Sequence, residues 1–125
     1  MLVDFCLPVK NEEKILTENI KRLNNYLIAR SWPFSWQIVI LLNNCNDNSE
    51  KITKFLTAEN QRIKSLIIDA PGKGRALKSY FSKSRADILV FMDIDLAVSL
   101  ENIPALIEPL IKQEKDLVIY HQPRQ

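Results

Sequence analysis

Two carboxylates separated by one residue follow an apolar segment near residue 90. The segment "ADILVFM" ends at Met92, and "DID" places Asp93 and Asp95 directly after it. Residues i and i+2 of an extended strand point to the same side, so the two carboxylates are expected to lie together. Mg²⁺ and Mn²⁺ prefer one or two carboxylates combined with phosphate oxygens. The pair therefore indicates either a metal-bridged diphosphate or two solvated acids at the end of a strand.

A second polar segment, "GKGR" at residues 72–75, contains both glycines of the chain. It lacks the spacing of a P-loop and of the dinucleotide-binding fingerprint. By itself it is typical of a turn with a solvated Lys73. Next to a metal–diphosphate site, Lys73 and the free amides of the turn are expected to contact phosphate oxygens.

Two asparagines open the segment "NNCNDNSE" at residues 43–50. Its later residues Asp47, Asn48 and Ser49 are typical of a helix N-terminus, which explains them without a ligand. That explanation leaves Asn43 and Asn44, whose amides can bind a base or a ribose.

The segment "KNEE" at residues 10–13 follows the first apolar run. Asn11 is expected to cap a helix there, and Glu12 and Glu13 are favoured by the helix dipole. The dipole explains Glu13 better than Glu12, which leaves Glu12 as a candidate ligand contact.

The apolar residues recur with alternating strand and helix periods, which predicts how these segments are positioned. The expected strands cover residues 2–7, 36–42, 63–70, 87–93 and 116–120, and the expected helices cover residues 12–30, 49–59, 74–84 and 101–113. This order predicts an α/β fold of three layers, with a mainly parallel sheet and helices on both faces. Ligands bind such sheets at the carboxyl ends of the strands, where all four polar segments lie.

The composition limits the class of protein. The chain has 125 residues, 46% hydrophobic and 26% charged, as one soluble globular domain over residues 1–125 would have. A net charge of +2 gives no reason to expect nucleic acid, and no apolar run reaches the roughly 18 residues of a membrane span. Two cysteines and the single His121 form no metal or disulfide pattern. A cytoplasmic location, or one at the cytoplasmic face of a membrane, is expected.

Four motifs together resemble the family 2 glycosyltransferases. "LPVKNEEKIL" is similar to the opening motif of that family, and "VILLNNCNDNS" to its second-strand motif. "GKGRAL" and "ADILVFMDIDL" are similar to a motif pair in polyprenol-phosphate sugar synthases, among them the dolichyl-phosphate mannose and glucose synthases. The resemblance runs from residue 3 to about residue 120, with the motifs in the family's order.

The resemblance implies a GT-A fold with a nucleotide-binding half-Rossmann sheet and transfer of a hexose from a nucleotide-diphosphate sugar. It implies that Pro8 and Glu12 line the nucleoside pocket and that Asn44 contacts the base. Asp93 would approach the ribose or the metal, and Asp95 would coordinate the Mg²⁺ or Mn²⁺ that holds the diphosphate. The implied acceptor is a polyprenyl phosphate or a glycan.

The sequence also departs from the family pattern. Lys10 replaces an aromatic or small residue, and Asn43 and Asn44 replace an acidic pair. The chain ends at Gln125, where family members continue into the half that holds the acceptor site and the catalytic base. We therefore expect a truncated donor-binding half that is inactive alone, with no catalytic residue assigned.

Other interpretations of the sequence stay open. One is a non-catalytic nucleotide-sugar-binding module or fragment, and another is a nucleotidyltransferase-like enzyme, although the basic glycine-rich loop near the N-terminus that favours such an enzyme is absent. An apolar sheet edge at residues 116–120 makes a homodimer an additional expectation.

Overall fold

The computed structural model of the chain describes residues 1–69, 72–96, 99–111 and 116–120, with Lys73 and the last range described by their backbone alone. Strands and helices alternate as predicted. In chain order they are β1 (Leu2–Val9), α1 (Leu16–Ile28), β2 (Ser35–Asn43), α2 (Ser49–Glu59), β3 (Ile63–Ile68), α3 (Lys73–Lys83), β4 (Ile88–Met92), α4 (Ile103–Ile107) and β5 (Asp116–Tyr120). Short 3₁₀ turns at Leu100–Asn102 and Glu108–Leu110 flank α4.

The five strands form one sheet in the order β3-β2-β1-β4-β5, and every neighbouring pair is parallel. The central strand β1 pairs on both sides, with Phe5 opposite Ile38 of β2 and Val90 of β4. Strand order reverses at β1, because the chain runs outward through β2 and β3 and then returns to β4 on the other side. The carboxyl ends of β1, β2 and β4 therefore meet at a topological switch point, the usual ligand position in such sheets.

Side chains alternate along β1 between two apolar cores, one on each face of the sheet. Val3, Phe5 and Leu7 belong to the larger core, which is closed by α1, α2 and α4. Cys6 belongs to the smaller core, which is closed by α3 through Ala76 and Tyr80. The predicted arrangement of three layers with helices on both faces is confirmed.

Two of the predicted helices differ from the observed ones by more than one residue at an end. The first starts at Leu16 and not at residue 12, because Asn11 adopts a left-handed backbone with φ 54° and the following residues form a turn. The fourth is a five-residue α-helix between two 3₁₀ turns and not one helix over residues 101–113. Pro109 has no N–H to continue the α-helical hydrogen bonds, and α4 accordingly ends at Ile107.

Hydrogen bonds tie the loop after β1 to the loop after β2, and we call this set the loop clasp. Asn11 Oδ1 accepts from the backbone N–H groups of Asn46 (2.8 Å) and Asp47 (3.3 Å). The sequence suggested that Asn11 caps α1, but α1 has Ile15 at its N-cap and no side-chain cap. Asn11 therefore serves the neighbouring loop and not its own helix.

The loop clasp continues through the residues that were expected to cap α2. Asp47 accepts from the N–H of Glu13 (3.1 Å) with Oδ2 and from the N–H of Ser49 (2.8 Å) with Oδ1. The buried Ser49 Oγ accepts from the N–H of Glu12 (2.9 Å), and Glu13 Oε2 accepts from the N–H of Asn48 (3.3 Å). These bonds fix the backbone at Glu12, which the sequence marks as a candidate ligand contact.

Removing the Ser49 hydroxyl tests the loop clasp. Ser49→Ala leaves the N–H of Glu12 without its acceptor, and we expect the free energy of unfolding to fall by about 1 kcal/mol. The matched control is Ser82→Ala, because Ser82 is exposed and bonds only the carbonyl of Ser79 in its own helix. Urea denaturation of both variants checks this, and equal losses would contradict a role for Ser49 between the loops.

Acid should weaken the loop clasp through Asp47. Desolvation raises the pKa of Asp47, but hydrogen bonds from Ser49 and Glu13 outweigh it, so the pKa lies below its ordinary value. An Asp whose pKa is lowered on folding adds stability above its unfolded pKa of about 3.9, and that stability disappears as the pH falls through the folded pKa.

We therefore expect Asp47→Asn to be less stable than wild type at pH 7, with the difference shrinking steadily below about pH 4. Denaturation at a series of pH values measures it. Asp69→Asn, at an exposed position after β3, is the control for loss of one negative charge. A stability difference for Asp47→Asn that stays constant down to low pH would refute the electrostatic explanation.

Candidate functional site

A cleft of about 330 Å³ lies at the carboxyl ends of β1, β2 and β4. Its lining residues come from four separate polar segments of the sequence. They are Pro8, Val9, Lys10, Glu12, Asn43, Gly72, Asp93, Ile94 and Asp95. The structure thus brings Pro8, Glu12, Asp93 and Asp95 together, as a shared site requires.

The structure does not place the side chains of two further predicted ligand contacts, Asn44 and Lys73, in the cleft. Asn44 does not line this cleft, and it lies exposed on the loop beyond β2 with φ 54°. The side chain of Lys73 is outside the described residues, although its backbone directly follows the lining residue Gly72. Their contacts with a ligand remain predictions.

Asp93 and Asp95 lie in a turn and not on the strand. β4 ends at Met92, and the N–H of Leu96 donates to the carbonyl of Asp93 at 3.1 Å. Strand alternation is therefore not the reason that the two carboxylates share a side. Ile94 and Leu96 are each only 5% exposed and pack in the larger core, and the two aspartates line the cleft.

The turn is held at some conformational cost. Leu96 has φ 50°, a left-handed backbone that costs a residue with a side chain roughly 1–2 kcal/mol. Burial of its side chain offsets this cost. A hydrogen bond of 2.8 Å from Asn19 Nδ2 to the carbonyl of Ile94 also fastens the turn to α1. Backbone strain of this kind is most often kept where the position of a functional group matters.

Asn43, which the sequence suggested together with Asn44, ends β2 and contains a buried hydrogen-bond acceptor. Its Nδ2 donates to the carbonyl oxygen of Gly72 at 3.4 Å. Asn43 is 5% exposed, and its Oδ1 has no hydrogen-bond partner among the described residues. A buried acceptor without a partner costs roughly 1–3 kcal/mol, so a ligand that donates a hydrogen bond there would bind favourably.

The site offers a carboxylate set that fits a divalent cation shared with a ligand. Within the described ranges, no group of three or more His, Cys, Asp or Glu side chains is arranged to hold a metal. Asp93 and Asp95 form a two-carboxylate set in one cleft. Mg²⁺ usually takes one or two protein carboxylates and completes its shell with phosphate oxygens and water, so the set fits a metal–diphosphate better than a protein-only metal site.

A second cleft, of about 480 Å³, lies at the opposite edge of the sheet. It is lined by aromatic and apolar residues such as Trp32, Phe34, Pro104 and Ile107. It holds none of the residues predicted for the site.

Across the part of the chain that the structure describes, no helix is both long enough and apolar enough to cross a membrane.

Known proteins resemble this chain in sequence and in fold. Glycosyltransferase AglD of Haloferax volcanii is 30% identical over 116 residues, which cover 91% of this chain and 18% of AglD. Dolichyl-phosphate beta-glucosyltransferase ALG5D of Trichomonas vaginalis is 27% identical over 128 aligned positions, covering 94% of this chain and 38% of that protein. The chain thus spans well under half of the length of these relatives.

A solved structure matches the fold. The structure of S. aureus TarS 1-349 in complex with UDP-GlcNAc superposes with a TM-score of 0.62 at 20% identity, covering 87% of this chain and 32% of TarS. It supports the GT-A type of α/β fold.

The family model for glycosyl transferase family 2 matches residues 4–125, nearly the whole chain. The four motifs, the sheet order and the cleft at its switch point agree with that match. The chain therefore belongs to glycosyl transferase family 2.

Proposed function

We propose that the chain forms the donor-binding half of a metal-dependent glycosyltransferase. It binds a nucleotide-diphosphate sugar in the cleft at the carboxyl ends of β1, β2 and β4, for hexosyl transfer to a lipid-phosphate or glycan acceptor. The observation that carries this proposal is the meeting of Pro8, Glu12, Asn43, Asp93 and Asp95 in one cleft. TarS with UDP-GlcNAc and the dolichyl-phosphate glucosyltransferase support the classes of donor and acceptor.

Each part of the cleft suits one part of such a donor. Asn43 Oδ1 accepts a hydrogen bond from the base, and Pro8 and Glu12 flank the nucleoside. Asp93 and Asp95 would hold a Mg²⁺ or Mn²⁺, which would supply positive charge beside the diphosphate, and Lys73 would pair with phosphate oxygens. A bound cation would neutralise the negative charge that develops on the departing nucleoside diphosphate.

Transfer also requires removal of a proton from the acceptor hydroxyl. A general base must lie within about 3 Å of the attacking oxygen, and the cleft carboxylates are assigned to the cation and the nucleoside. The base and the acceptor site therefore belong to a part of the protein outside this cleft. On this proposal the chain alone binds the donor without transferring its sugar.

The proposed metal site predicts that nucleotide binding depends on a divalent cation. Calorimetry with UDP, GDP, CDP and ADP, each in Mn²⁺ and in EDTA, identifies the preferred base and measures the dependence. We expect the preferred nucleotide to bind at least about tenfold more tightly with Mn²⁺, a difference of about 1.4 kcal/mol. Asp95→Asn should remove this difference, because it takes away a charged ligand of the cation.

Equal affinity of wild type in Mn²⁺ and EDTA would contradict the metal assignment while leaving nucleotide binding intact. The control variant is Glu101→Gln, which removes an exposed carboxylate from the 3₁₀ turn before α4 and should keep the full effect of Mn²⁺. Failure of all four nucleotides to bind in either condition would contradict the donor site itself.

The buried amide predicts which asparagine contacts the nucleotide. Asn43→Ala should weaken binding of the preferred nucleoside diphosphate about tenfold, since it removes the acceptor that we propose binds the base. Asn44→Gly is the matched control, because glycine keeps the left-handed backbone and removes only the exposed side chain. Calorimetry measures both. A loss for Asn44→Gly with none for Asn43→Ala would favour Asn44 as the base contact, as the family resemblance implies.

A further inference from the structure

Asp4, in the first half of β1, is a buried carboxylate that does not line the cleft. It is 1% exposed and lies on the face covered by α3. Its Oδ1 accepts from Gln37 Nε2 at 2.8 Å, and its Oδ2 accepts from the hydroxyls of Tyr80 at 2.5 Å and Ser84 at 2.8 Å. A buried carboxylate is tolerated only when hydrogen-bond donors surround it, and Asp4 has three such donors.

Two of these three donors sit at the carboxyl end of α3, one helical turn apart. Burial, and then the bond to Asp4, raise the pKa of the Tyr80 phenol, which keeps it protonated as a donor. Ser84 follows α3, donates its N–H to the carbonyl of Tyr80 at 2.9 Å and accepts from the N–H of Ala86 at 3.1 Å. One carboxylate thus fixes the end of the helix and the chain that leaves it.

The apolar packing of α3 is small by comparison. Ala76 and Tyr80 are the described α3 residues that are buried in the core beneath it, with Leu77 partly buried beside them. An alanine methyl group restrains a helix weakly. The position of α3 on the sheet therefore depends heavily on the bonds that Tyr80 and Ser84 make to Asp4.

The other end of α3 reaches the cleft. Gly72, with φ 88°, lines the cleft, accepts from Asn43 and is followed by Lys73, the first residue of the helix. Eleven residues of α-helix span about 16 Å, so α3 joins the Asp4 cluster to the cleft as a short rod. A displacement of α3 at its Asp4 end would therefore also displace the glycine turn at residues 72–74.

We propose that Asp4 is a positioning residue for the donor site. Acting through Tyr80 and Ser84, it sets α3 on the sheet so that the glycine turn and Lys73 meet the diphosphate. This inference rests on the proposed donor binding. On this inference Asp4 itself does not contact the ligand. Its loss would weaken the contacts with the phosphates and leave those with the base unchanged.

Two variants separate positioning from simple stability. Tyr80→Phe keeps the ring and removes one bond between Asp4 and α3. Gln37→Met removes a bond to the same carboxylate from β2 and leaves α3 fastened. Both are compared at a temperature where circular dichroism shows them fully folded. We expect Tyr80→Phe to weaken binding of the preferred nucleoside diphosphate about tenfold, the scale for groups that orient a binding residue from behind, and Gln37→Met to leave it within about twofold.

A double-mutant cycle with Lys73→Ala locates the effect. If Tyr80 acts by placing Lys73, Tyr80→Phe should cost little affinity once Lys73 is already alanine. Calorimetry on the four proteins gives this coupling. Equal losses from Tyr80→Phe in both backgrounds, or no loss in either, would overturn the positioning role.

Hydrogen exchange tests the anchor without any nucleotide. Backbone amides of residues 74–83 should exchange faster in Tyr80→Phe than in wild type, while Gln37→Met should leave their exchange unchanged. Unchanged exchange in Tyr80→Phe would overturn the anchor even if nucleotides bind. Faster exchange in a protein that binds no nucleotide would instead overturn the proposed function, and the positioning role with it, while leaving the anchor established.

Discussion

The hydrogen bonding of β1 on both sides is the constraint on which the site depends. β1 pairs in parallel register with β2 and β4, and its residues 3–9 are all buried. Because residues 3–6 pair with strands on both sides and residues 3–9 are buried, a ligand from solvent can reach β1 only where the strand ends. The neighbouring parallel strands end at the same edge, so their loops meet there. The cleft is a direct consequence of placing β1 at the centre.

Conformational strain in the described chain collects at this same edge. The non-glycine residues with positive φ are Asn11, Asn44 and Leu96, and each follows one of the strands that border the cleft. Gly72, the glycine with positive φ, lines the cleft itself. Tight left-handed turns let the chain leave each strand sharply. The loop clasp, the burial of Leu96 and the bond from Asn43 then hold those turns in place, so the cleft is formed before a ligand arrives.

The spacing of apolar residues predicted the order of strands and helices, because that spacing shows which face of each segment is buried. The grouping of Pro8, Glu12, Asp93 and Asp95 was also predictable, since parallel strands end at one edge. The bonds of Asn11 could not be predicted, because their acceptor and donors lie 35 and 36 residues apart and a capping role fits the local sequence equally well. The choice between Asn43 and Asn44 depends on where β2 ends, and a local pattern does not determine that residue.

The lining residues whose side chains the structure describes lie between positions 8 and 95. The carboxyl ends of β1, β2 and β4 and the turn before α3 supply these residues, and the anchor of α3 through Asp4 lies within the same part of the chain. On the proposed function, donor binding would therefore be physically separable from acceptor binding. The described bonds that shape the cleft, such as those from Asn19 to Ile94 and from Asn43 to Gly72, join residues of this chain, which spans well under half the length of its relatives.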